Sequence, residues 1–99
     1  MISDDDYPDA KYFMEAYFHQ NWIDFQNTYE DLADAFVRED EPERIARVRA
    51  DMDRLLSLPV DASVLTGWLA KVADGYSPDD IDGCSLLELF RDRIARSMS

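Results

Sequence analysis

Cysteine occurs once in these 99 residues, histidine once and glycine only three times. With Cys84 alone, neither an internal disulfide nor a cysteine-built zinc site can form. No stretch approaches the roughly 20 apolar residues needed to cross a bilayer. The opening "MISDDDYPDA" has neither the basic start nor the apolar run of a secretory leader. The expectation is therefore a cytoplasmic chain without membrane contact. Positive charge is also scarce: 10 lysines and arginines face 22 aspartates and glutamates, leaving a net charge of −12. Such a chain repels a phosphate backbone, so direct nucleic-acid binding is not expected, whereas a basic protein partner is.

The chain has enough apolar material for one core. With 46% hydrophobic and 12% aromatic residues it suits a single domain spanning 1–99. Pro8 can open a helix over 9–20, in which Tyr12, Phe13, Met14, Ala16, Tyr17 and Phe18 point to most sides. Thr28 can cap a second helix over 29–40, with Tyr29, Leu32, Ala33, Phe36 and Val37 on one arc and acids on the other. Pro42 opens a third helix to about Ser57. Pro59 ends that run, and Asp61 can cap a fourth helix carrying Val64, Leu65, Trp68, Leu69 and Val72, with Gly75 as terminator. In a fifth, Ser85 and Glu88 make a capping box, and Leu86, Leu89, Phe90 and Ile94 form the apolar stripe. No run alternates with a period of two, so the expected fold is all-α, a compact bundle of about five short helices.

The charge is lopsided. Residues 1–43 hold 13 acids against Lys11 and Arg38, and residues 44–99 hold 9 acids against 8 bases. The acidic part also carries 9 of the 12 aromatic residues. Crowded carboxylates steer a basic partner while tyrosines anchor it, so this part of the chain is the expected docking face.

Catalytic groups do not assemble. His19 has no second histidine and no placed nucleophile, and is expected to hydrogen-bond as a half-buried structural residue. Asp80, Asp82 and Gly83 fit part of a calcium loop, but Pro78 and Leu89 fall where its first and last ligands belong. No metal, cofactor or enzymatic activity is expected.

The stretch "YFHQNW" at residues 17–22 is followed by the acidic "TYEDLADAFVRED", then "LLSLP" and "WLAKV". In this order they resemble the YFHQDW-type immunity proteins of bacterial contact-dependent growth inhibition systems. The likeness covers most of the chain and departs at Asn21, which keeps the size of the usual aspartate and loses its charge. It implies a small protein that binds and blocks the C-terminal toxin domain, commonly a nuclease, of an effector delivered by a neighbouring cell.

Residues shared by a family that meets many toxins are poor carriers of specificity. Tyr17, Phe18, His19, Gln20, Asn21 and Trp22 are therefore expected to be structural. Partner contacts are expected from Asp24, Phe25, Tyr29, Glu30, Asp31, Asp34 and Glu41, with the free protein a monomer or weak dimer. The alternative is an acidic helical adaptor for another basic protein.

Overall fold

The structure, a computed structural model, describes residue 2 and residues 4–18, 28–72 and 81–97. A short 3-10 turn at Asp4–Asp6 leads into α1 (Pro8–Ala16), followed by α2 (Tyr29–Glu39), α3 (Pro42–Leu56), α4 (Ala62–Val72) and α5 (Gly83–Ser97). There is no strand among the described residues, and the architecture is an all-α bundle. The last helix is its hub, packing against α2, α3 and α4, while α1 lies on α3 and touches α4.

The core centres on Phe90 of α5, which is fully buried. Its ring meets Phe13 of α1 edge-on at 5.0 Å and Phe18 at 5.7 Å, and Tyr29 of α2 packs at 6.3 Å. Phe36 closes the group from α2, lying 4.9 Å from Phe13 and 5.1 Å from Tyr17. Edge-to-face packing brings the positive ring edges onto negative faces, adding to the gain from area burial. Around these rings lie Met14, Leu32, Val48, Met52, Leu55, Leu86, Leu87 and Ile94, all shielded from solvent.

Three helix starts follow the reading of the sequence. Thr28 Oγ1 accepts the Asp31 N–H at 3.0 Å, capping α2. Pro42 occupies the first turn of α3, and Glu41 before it is extended, as a residue preceding proline tends to be. Asp61 precedes α4, and its carbonyl accepts the Val64 N–H at 3.0 Å; of the apolar residues expected on α4, Leu65, Trp68, Leu69 and Val72 are buried, whereas Val64 faces away from the core and is exposed.

Other boundaries move. The first helix ends at Ala16 rather than at residue 20, with the Phe18 N–H folding back to the Phe13 and Met14 carbonyls. No glycine or proline marks that end. The fifth helix starts at Gly83, and Asp82 rather than Ser85 caps it: Asp82 Oδ1 accepts the Ser85 N–H at 2.8 Å and Oδ2 the Ser85 hydroxyl at 3.1 Å. Leu87 is buried where Leu89 was expected, and Leu89 is only half-buried. Gly75, the expected terminator, lies outside the described residues.

Contact with α4 explains this rotation of α5. The Gly83 N–H donates to Thr66 Oγ1 at 2.7 Å, and that hydroxyl donates to the Ala62 carbonyl at 2.9 Å. A Cβ on Gly83 would lie 2.5 Å from Thr66 Cα, so the two backbones touch only because the side chain is missing.

The start of α1 has no local cap, since the Tyr7 side chain makes no capping bond. Asp51 of α3 replaces it, with Oδ2 accepting the Asp9 and Ala10 N–H groups at 3.0 and 3.1 Å. Arg54 bonds the other oxygen at 3.2 Å and stacks on the Tyr7 ring at 4.7 Å. A carboxylate suits this position because a helix N-terminus carries partial positive charge and orphan N–H donors.

Two substitutions test these contacts. Gly83→Ala should lower stability by about 1–3 kcal/mol through overpacking, seen as a reduced urea midpoint with unchanged slope. An unaltered midpoint would show that α4 and α5 can separate without cost. Asp51→Ala should cost about 1–3 kcal/mol and speed hydrogen exchange at the Asp9 and Ala10 amides. Amides that stay protected would refute the remote cap.

Candidate partner-binding face

On α2 the apolar arc of Leu32, Ala33 and Phe36 seats the helix on the core, so Glu30, Asp31, Asp34 and Arg38 share the opposite side. Asp31 and Arg38 are exposed, and Glu30 and Asp34 are half-buried. Glu41 is exposed just beyond, where the chain turns into α3.

The expected contact residues differ in their surroundings. Asp34 is held inside the molecule: Arg93 of α5 donates Nε to Oδ1 at 2.9 Å and a terminal nitrogen to Oδ2 at 2.8 Å. This two-pronged bond keeps the Asp34 carboxyl below its usual range, with the Arg38 charge adding to it. Glu30, Asp31 and Glu41 make no ion pair among the described residues. The Tyr29 ring packs toward Phe18 and Phe90. Asp24 and Phe25 lie outside the described residues, as do His19, Gln20, Asn21 and Trp22 of the motif. Of that motif, Phe18 is fully buried and Tyr17 stacks on Phe13 at 5.9 Å.

A second polar cluster, which sequence reasoning missed, sits where α2 meets α3. The Asp40 side chain is only 5% exposed. It accepts the Tyr12 hydroxyl at 2.6 Å, the Tyr17 hydroxyl at 3.5 Å, the Glu41 N–H at 2.8 Å and Arg44 at 3.0 Å. The Arg44 guanidinium also stacks on the Tyr12 ring at 4.5 Å. Burial alone would push the Asp40 carboxyl up, but the bonds from Tyr12, Glu41 and Arg44 hold it below the usual range. The hydrogen bond to Asp40 raises Tyr12, and burial, with the Asp40 charge, pushes Tyr17 up to about 12. The four-residue spacing of Asp40 and Arg44 was a usable signal.

Away from this face, Ile2, Ser63, Val64, Gly67, Trp68 and Lys71 line an apolar groove of about 240 Å3. The buried Trp68 indole N–H has no hydrogen-bond partner. Among the described residues no three His, Cys, Asp or Glu side chains gather to hold a metal ion. No helix among them is long and apolar enough to cross a membrane.

A family model described as CdiI immunity protein matches residues 6–90, from the turn before α1 to Phe90 in the core. This chain belongs to that family. A CdiI immunity protein neutralises a toxin by binding it, so the relevant chemistry here is protein recognition. No curated protein and no solved structure matches the chain. The matched span takes in all of α1 to α4 and the first half of α5, and so includes the Asp40 cluster and Asp34, while Arg93 lies just beyond it.

The tyrosine cluster has a pH signature. Both hydroxyls titrate above the value of about 10 expected in an unfolded chain. Their contribution to stability is therefore complete below about pH 10 and is lost as pH rises beyond it, toward about 12 for Tyr17. The urea midpoint of the native protein should fall more between about pH 8 and 11 than that of Tyr12→Phe/Tyr17→Phe. Equal losses would remove the cluster as the cause.

Proposed function

We propose that this immunity protein acts stoichiometrically, without catalysis, and that the outer face of α2 covers a basic surface of its toxin, a nuclease. The observation that carries this reading is the unequal use of charge. Arg47 of α3 reaches Asp9 of α1, Arg91 of α5 reaches Asp53 of α3, and Arg93 reaches Asp34 of α2. Arg44 and Arg54 likewise meet Asp40 and Asp51. These cations are thereby paired within the protein, while Glu30 and Asp31 at one end of α2, Glu39 at the other, and Glu41 and Glu43 beyond it have no ion pair among the described residues.

An 11-residue helix is about 16 Å long, so these carboxylates fit within a typical interface of about 800 Å2 per partner. A nuclease must present cations to bind nucleic acid, and the same cations would dock this face. Occupying them removes the substrate's binding surface, so inhibition requires only association. Cytoplasmic residence follows from this reading, since the toxin would be met where its substrate lies.

The test uses the C-terminal domain of the effector encoded immediately upstream of this chain's gene. Glu30→Gln/Asp31→Asn should slow association with that domain about tenfold at low salt and flatten the salt dependence. Asp34→Asn should instead lower the melting temperature, because Arg93 would lose a charged partner. Association rates that ignore the double substitution at every ionic strength would exclude α2 as the docking face.

A further inference from the structure

Arg38 interrupts the acidic side of α2. It lies one turn beyond Asp34 and two beyond Asp31, exposed on the same side. Asp34, four residues earlier, would be its natural partner, but both Asp34 oxygens are engaged by Arg93. Arg38 makes no ion pair or hydrogen bond among the described residues, in a chain with more than two acids for each base. Beyond its charge effect on Asp34, this cation repels the basic groups that Glu30 and Asp31 attract.

We infer that Arg38 is a specificity-determining residue, requiring a carboxylate on the toxin set among the basic groups that meet Glu30 and Asp31. The inference rests on the α2 reading above. The pattern cation, anion, cation on the partner would reject toxins whose surface is basic throughout, as like charges brought together at an interface do. A cation in the last turn of α2 also suits the helix dipole. That effect alters folding stability and leaves affinity unchanged, which separates it from the proposal.

The upstream effector's C-terminal domain is titrated with the native protein, Glu30→Gln/Asp31→Asn, Arg38→Ala and Arg38→Glu. Under the proposal Arg38→Glu raises Kd at least fivefold despite making the protein more acidic, Arg38→Ala falls between it and the native protein, and a carboxylate-to-lysine change on the toxin restores Arg38→Glu. A smaller rise, or tighter binding as acid surplus alone predicts, overturns the inference. If Glu30→Gln/Asp31→Asn weakens binding while Arg38→Glu does not, only the inference fails. If the native protein does not bind the domain, the docking reading fails and takes the inference with it.

Discussion

Self-repulsion among unbalanced carboxylates is the constraint that this fold has to meet. A surplus of 12 negative charges on 99 residues opposes compaction. The bundle answers by placing arginines where helices meet: Arg93 between α5 and α2, Arg47 between α3 and α1, Arg91 between α5 and α3. Exposed pairs of this kind contribute about 0–1 kcal/mol each. Their larger effect is positional, since each removes a repulsive carboxylate from the set that faces outward. Among the described residues the two most enclosed carboxylates, Asp40 and Asp51, are each satisfied by several donors, which is the condition for burying such groups at all.

The two described residues of the YFHQNW stretch, Tyr17 and Phe18, and the charged side of α2 occupy different physical niches. Phe18 is enclosed by Phe90 and Tyr29, and Tyr17 lies between Phe13 and Phe36 with its hydroxyl toward Asp40. Rings so placed hold α1 against α2 and α5, and changing them alters the body of the protein. The outer side of α2 is held through Leu32, Ala33 and Phe36 beneath it, so its exposed residues can vary without disturbing the core.

Most of the architecture was legible in the sequence because the chain marks its own boundaries. Thr28, Pro42 and Pro59 act locally, through a side-chain cap or a missing N–H, and the starts of α2 and α3 fall at the expected residues. The end of α1 carries no such mark. Two cap formers, Asp82 and Ser85, stand three residues apart at the start of α5, and the approach of Gly83 to Thr66 selects the earlier one. That contact also fixes which of Leu87 and Leu89 turns inward. On α2, helical periodicity located the acids on the outer side, but it carried no trace of Arg93, 59 residues away from Asp34. Nor did it distinguish Asp51, a buried cap, from its neighbours on a charged helix.

The remote cap on α1 bears on how the protein is made. A nine-residue helix is too short to persist in water unaided, and the carboxylate that holds its first turn lies 42 residues downstream of Asp9. α1 therefore gains its cap only once the third helix has been translated, so its first turn is an outcome of the assembled bundle.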